Sequence, residues 1–293
     1  MKCLSQLYPC SLLLLAVSSQ PAFAEDVFST LMQGGFLTKE NWTVTLGAGA
    51  IYGPKYEGSA ESSVSPVPFV EINWNDTIFL SPGDGLGVNL YQNKGFVVGT
   101  SVGYDGGRQE SDSRSELRGL GDIDAGVSTS GFLSYEYKFI KAETKVTHVF
   151  GGADGTTVDL GLQTFIPLAP LLKETPFFIG TGPIFGSSST NKDGPGGPAL
   201  LLGVSTTWAD ENYMDGYFGV SSQQSAKSGL KDFDASAGFK SLTGDATLVV
   251  PLTDHINLGT NVGYTRLIGD AADSPITRDT NQFNAGLFAT YTF

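Results

Sequence analysis

Cysteine is confined to positions 3 and 10, and histidine occurs twice, as His148 and His255. If the leading residues are removed on export, the remaining chain has no thiol. Disulfides, thiolate metal sites and cysteine nucleophiles are then excluded together, and burial and hydrogen bonding must hold the fold. Charge is also scarce: Asp, Glu, Lys and Arg make up 16% of residues, against about 25% in ordinary soluble domains. What charge there is leans acidic, with a net value of -13, which argues against a nucleic-acid partner and its phosphate backbone. After Val17 no apolar run approaches the roughly 20 residues a membrane-spanning helix needs. A chain like this enters a membrane as strands or not at all.

The first residues have the layout of an export signal. Lys2 supplies a thin basic start, Leu12 to Val17 an apolar core, and Ala22-Phe23-Ala24 an A-x-A cleavage site. Residues 1–24 are expected to be removed, leaving 25–293 as one β-domain that begins at Glu25. Cys3 precedes the apolar core and Cys10 stands at its start, so neither suits lipidation.

From Trp42 onward, apolar and small or polar residues alternate in segments of about ten, the length of a tilted membrane-crossing strand. Phe283, Ala285, Leu287, Ala289, Tyr291 and Phe293 fall on one face, with Asn284, Gly286, Thr290 and Thr292 on the other; Phe288 breaks the pattern. A soluble sandwich alternates too. Here, however, the second face is small and polar rather than a packed apolar set, short and long connections alternate, and the last strand ends on Phe. These features favour a transmembrane antiparallel up-and-down β-barrel of the all-β class. Strands are expected at 42–51, 64–73, 77–81, 86–91, 95–104, 125–137, 141–150, 156–166, 176–186, 198–209, 213–221, 237–250, 255–266 and 282–293. That makes fourteen, or twelve if neither short segment beside Pro82-Gly83-Asp84-Gly85 crosses. Connections 52–63, 105–124, 187–197, 222–236 and 267–281 then emerge at one end. Trp42, Trp74, Tyr91, Tyr104, Tyr137 and Tyr291 are placed for aromatic girdles.

Two stretches carry a resemblance. Gly47-Ala48-Gly49-Ala50 followed by Tyr52, Pro54, Tyr56, Glu57, Gly58 and Ser59, and the run Arg266-Leu267-Ile268-Gly269-Asp270-Ala271-Ala272-Asp273-Ser274-Pro275-Ile276, resemble the MipA/OmpV family of outer-membrane proteins. Gly107-Arg108, Gly119 to Ile123 and Tyr217 to Ser221 extend the likeness. The resemblance implies a non-enzymatic barrel in the outer membrane of a Gram-negative bacterium, in contact with lipid and lipopolysaccharide. Members of that family are described either as scaffolds for murein-processing enzymes, a lytic transglycosylase and a penicillin-binding synthase, or as surface antigens and adhesins. A small diffusion channel is a third class to weigh.

Three groups of residues are candidate sites. Pro167, Leu168, Pro170, Leu171 and Leu172 form a proline-stiffened turn that could offer apolar contact to a partner. Arg266, Gly269, Asp270, Asp273, Ser274 and Pro275 belong to the motif loop, where Asp and Ser can bond backbone and Pro275 holds Ser274 extended. Glu136, Lys141, Glu143, Lys145 and Asp159 share inward faces of three successive strands, with Phe132 and Gln163 adding volume, and favour a filled lumen. The acidic residues Asp105, Glu110, Asp112, Glu116, Asp122 and Asp124 match no compact oxygen-ligand loop and read as loop charge. Catalytic, cofactor and metal residues are expected to be absent, since His148 faces outward and the two histidines share no evident pocket.

Overall fold

The computed structural model describes residues 42–168, 197–253 and 255–293. Twelve antiparallel strands follow one another around a closed barrel: β1 Trp42–Pro54, β2 Ser62–Trp74, β3 Ile78–Ser81, β4 Gly85–Asn93, β5 Phe96–Asp105, β6 Gly126–Tyr137, β7 Ile140–Phe150, β8 Thr156–Pro167, β9 Ala199–Ala209, β10 Gly238–Pro251, β11 Ile256–Leu267 and β12 Asn281–Thr292. The last strand closes on the first, from Thr45 beside Thr292 to Tyr52 beside Ala285. Period-two alternation fixes that register, because a slip of one residue would turn every apolar side chain into the lumen. On β12 the lipid-facing Phe283, Leu287 and Tyr291 are exposed, while Gln282, Asn284 and Thr290 are buried inside. No helix among the described residues is long and apolar enough to cross a membrane.

Twelve is reached by a different route from the sequence parse. Both short segments, β3 and β4, join the wall. The expected strand 213–221 is instead a helix, α1, Glu211–Phe218, and the expected strand 176–186 lies outside the described residues. The helix wins because Asp210 caps it, accepting from the Tyr213 N–H at 2.9 Å, and because Tyr213, Met214 and Phe218 recur at helical spacing and bury together.

Both described ends of the chain fall at one end of the barrel, here the near end. Turns 75–77, 94–95, 138–139 and 252–255 lie there, and they are short. Asn75 and Asp76 both take left-handed backbone, with φ of 51° and 54°, the two-residue geometry whose twist matches that of the strands. The far end carries 55–61, 82–84, 106–125, 151–155, 210–237 and 268–280. Since β8 pairs directly with β9, from Thr157 beside Ala209 to Pro167 beside Ala199, their connection leaves and returns at the near end. Of residues 187–197, expected at the far end, all but Gly197 lie outside the described residues.

Inside the barrel, three phenylalanines lie over the glycines that face them. Phe79 covers Gly87, Phe132 covers Gly99 and Phe288 covers Gly259, each pair in direct register; a Cβ on any of these glycines would run into the ring. The exception in the β12 pattern is thereby explained: Phe288 faces inward because Gly259 leaves room for its ring against the wall.

Candidate functional site

The structure brings the charged lumen residues together. Lys141 donates to Glu143, two residues along the same face, at 2.7 Å. Lys145 reaches past β6 and β5 to Asp84 in the β3–β4 turn at 2.8 Å, and that carboxylate is almost fully shielded. Asp159, opposite Lys145 in the β7–β8 register, accepts from the Thr207 hydroxyl at 2.6 Å. Glu136 faces Lys141 across β6 and β7 and is exposed toward the near mouth. Asp84 is the member that sequence reasoning missed. Its signal was the Ser81-x-x-Asp84 spacing: the Ser81 hydroxyl accepts from the Asp84 N–H at 3.1 Å and donates to its carboxylate at 3.2 Å, folding the turn inward.

Of the proline-stiffened turn, Pro167 ends β8, and the Leu168 N–H donates to the Pro198 carbonyl at 2.8 Å, tying the two feet of the connection. Pro170, Leu171 and Leu172 lie outside the described residues.

At the far end the loops pack into a crown. Its core holds Tyr213, Met214 and Phe218 of α1 with Leu267 and Ala271, and, beside them, Tyr56, Leu117, Leu120, Val220 and Ile276. A second helix, α2, Ser222–Ser228, starts on a reciprocal Ser221 and Gln224 cap, and Gln224 donates to the Leu120 carbonyl at 2.7 Å. The motif loop forms the short helix α3, Gly269–Asp273, after Gly269 turns the chain at a φ of 56°. Asp270 accepts from the Ser236 N–H at 2.8 Å, and Ser274 donates to the Phe218 carbonyl at 2.5 Å. Pro275 is half-buried beside Ile276, while Asp273 is exposed. Arg266 faces outward at the rim, donating to Asn281 at 2.6 Å.

Polar groups are buried within this crown. Arg108 donates to the Tyr217 carbonyl at 2.6 Å and lies 6.0 Å from the Tyr56 ring centroid. Burial lowers its pKa from the usual arginine value. Burial likewise raises the phenols of Tyr56 and Tyr217, helped by Glu116 in the first case and by Tyr213 and Asp105 in the second. Lys240 and Glu57 form a shielded pair at 2.6 Å. Glu61 is held down to about 2 by hydrogen bonds from Lys55, Ser115 and Ser113. The acidic loop residues are spent on such bonds: Asp112 accepts from the Gln109 N–H, Asp122 from Glu110 N–H and Glu116 from Ser59. Among the described residues no group of three or more His, Asp or Glu side chains is arranged to hold a metal ion. The two histidines are at opposite ends of the barrel, His148 bonded to Thr156 near the far end and His255 to the Thr292 carbonyl at the near end.

A closed barrel with an apolar outer belt, a polar lumen and a loop crown defines an outer-membrane β-barrel protein. A family model described as "MltA-interacting protein MipA" matches residues 46–293. The chain belongs to the MipA family. It is also 32% identical over 81 residues to YiaT of Escherichia coli (strain K12), which carries a provisional outer-membrane name; that stretch is 27% of this chain and 31% of YiaT. Solved barrels resemble it loosely. The NalP translocator domain of Neisseria meningitidis is 9% identical with a TM-score of 0.39, over 93% of this chain and 96% of that one. OmpT of Vibrio cholerae is 8% identical with a TM-score of 0.32, over 88% and 100%.

Proposed function

We propose that this protein is a non-enzymatic scaffold of the outer membrane that holds peptidoglycan-remodelling enzymes, a lytic transglycosylase and a penicillin-binding synthase, at its periplasmic end. The observation that carries this reading is that β8 and β9 meet at the near end, Pro167 beside Ala199 and the Leu168 N–H on the Pro198 carbonyl, among turns of only a few residues. In barrels of this class the short turns face the periplasm and the long loops the exterior. The stretch of sequence between those paired feet is longer than closure requires, and it is where a murein enzyme would meet the barrel. Pro167, Leu168, Pro170, Leu171 and Leu172 open that connection. The family description, which names an interaction with MltA, supports the same reading.

Crosslinking in intact cells, followed by identification of what is captured, tests it. A lytic transglycosylase should be captured by the parent chain and lost when 170–195 is replaced by a short Gly-Ser linker, with the barrel still heat-modifiable on gels. Capture unchanged by that replacement would reject the connection as the docking element.

A surface adhesin is the second reading, favoured by the ordered crown at the far end. Deleting 105–124 would be a poor test, because Leu117 and Arg108 are part of the crown's interior. Substituting the exposed Arg114 and Arg118 tests adhesion while leaving the packing in place. The lumen is proposed to conduct little, since Lys145 and Asp84 pair inside it past two strands and Phe79, Phe132 and Phe288 lie over inward glycines. Stable, large single-channel steps in planar bilayers, shifted in selectivity by Lys145→Glu, would replace both readings with that of a channel.

A further inference from the structure

β2 runs from Ser62 to Trp74, yet β3 pairs with it only from Ile72 to Trp74. The polarity of the remaining edge follows from the seam. The Val44 carbonyl accepts from the Phe293 N–H, so even-numbered residues of β1 bond toward β12 and odd-numbered ones toward β2. With Gly49 beside Val67 and Ile51 beside Ser65, the odd residues of β2 are engaged by β1. Ser62, Val64, Pro66, Pro68 and Val70 therefore aim their backbone groups at the side where β3 has ended. Proline in a strand is tolerated on such an edge and not in the middle of a sheet.

The gap has a frame. β2 is one jamb and the end of β5, residues 103–105 beyond the Leu86–Val102 pair and with Tyr104 exposed outward, is the other. Between them the base spans the positions of β3 and β4, three inter-strand spacings or roughly 14 Å. The β3–β4 turn is the sill: a Cβ on Gly103 would lie 3.3 Å from the Asp84 carbonyl oxygen. The lintel is Glu61, whose carboxylate accepts from Ser113 at 2.9 Å and Ser115 at 2.7 Å. Val64 stands beside Tyr52 at the far girdle and Val70 beside Leu46, so the opening lies in the half of the wall toward the far leaflet.

Unpaired backbone is costly at that depth, and lipid-exposed sheet edges are avoided. The edge keeps its carbonyl acceptors, but two of its five outward-aimed residues lack an N–H. It is thus a poor template for another strand, which needs donors and acceptors in alternation, and a good match for a ligand that brings only donors. The edge lies in the lipid-facing wall beneath the crown contacts of Glu61 with Ser113 and Ser115, so such a ligand arrives from the lipid. We propose that the gap between β2 and β5 is a lateral binding window for an outer-leaflet amphiphile. Its amide or hydroxyl donors meet the β2 carbonyls that are unpaired among the described residues, while its acyl chain lies along Val64, Pro66 and Pro68.

Photolabelling of the intact protein in phosphatidylcholine vesicles tests this. One probe is an ester-linked phosphatidylcholine and the other an N-acyl sphingolipid with amide and hydroxyl donors; both carry a diazirine near the head of the chain, and labelled residues are mapped by peptide mass spectrometry. Lumen-facing Ser63 and Ser65, beside the gap, should be labelled, several-fold more by the N-acyl probe. Lumen-facing Thr147, Gln163 and Thr243, behind continuous wall, should not. Restoring two N–H groups with Pro66→Ala and Pro68→Ala should bring the two probes toward equal labelling. Ser63 and Ser65 labelled no more than the three wall residues would overturn the window, whether water, a second copy or the chain's own preceding segment covers it. Equal labelling by both probes in the unaltered protein would overturn the donor match.

Discussion

In the crown, Phe218, Leu117 and Ile276 are completely shielded, while in the wall Val64, Leu287 and Phe293 each expose about two-thirds of their surface. The same residue types sit on opposite sides because the two regions meet different solvents. The crown meets water and must bury its apolar surface among its own loops, as any soluble domain does. The wall meets hydrocarbon, so its apolar side chains gain nothing by hiding, and the constraint passes to the backbone, whose polar groups must be paired within the sheet. One chain therefore carries two kinds of stability, and they should be separable.

The sharpest way to separate them is Phe218→Ala. Truncating a buried phenylalanine costs about 3–5 kcal/mol, and all of that loss falls on the crown. Limited proteolysis should open 106–125 and 210–237, while the unboiled band on a gel still migrates as a closed barrel; loss of both together would show that the regions are one cooperative unit. The reverse experiment is Gly259→Val, which drives a side chain into the Phe288 ring. Overpacking of this sort costs about 1–3 kcal/mol, read as a lower melting temperature of the barrel with crown proteolysis unchanged, and Phe288→Ala in the same chain should return part of it. Asp210→Ala removes the cap of α1 and should cost about 1 kcal/mol, seen as faster proteolysis within 210–218. The smallest effect concerns the Glu61 clasp. Its carboxyl is lowered from 4.5 to about 2 by Lys55, Ser115 and Ser113, so the clasp contributes fully above pH 4.5 and is lost as pH falls through 2. Hydrogen exchange of Ser113 and Ser115 amides, corrected for intrinsic rate, should rise over that window, and Glu61→Gln should bring the faster exchange to neutral pH.

How far the sequence could be read follows the same division. In the wall, local alternation carries the information: β12 was legible from Phe283 to Phe293, and so were the inward faces of Lys141, Lys145 and Asp159. Phe288 broke the pattern because its reason, Gly259, lies on another strand. The crown was not legible in this way. Tyr213 and Tyr217 satisfy both a strand and a helix period over so short a stretch, and the deciding feature was Asp210 as a cap. The sequence parse set a further crossing at 176–186, whereas β8 pairs directly with β9, a long-range pairing that no local alternation announces. Asp84 joined the lumen cluster through a turn that looked from sequence like an interruption. The Arg108, Tyr56 and Tyr217 contacts join loops far apart in the chain, and no local spacing announces them.

The bonds that tie the first far-end loop to the last bear on how the chain reaches this state. The Gly58 N–H donates to the Gln282 side chain and Tyr56 to the Ile276 carbonyl, contacts spanning 224 and 220 residues. Both bridge the seam where β12 meets β1. They can form only after the final strand has found the first, and contacts of such long range are the slow ones in folding, because the loop entropy is lost before any bond rewards it. The crown then acts as a latch, assembled last and opened first. Its protease resistance should appear after the sheet signal during refolding, with the interval between the two timing the closure of the seam.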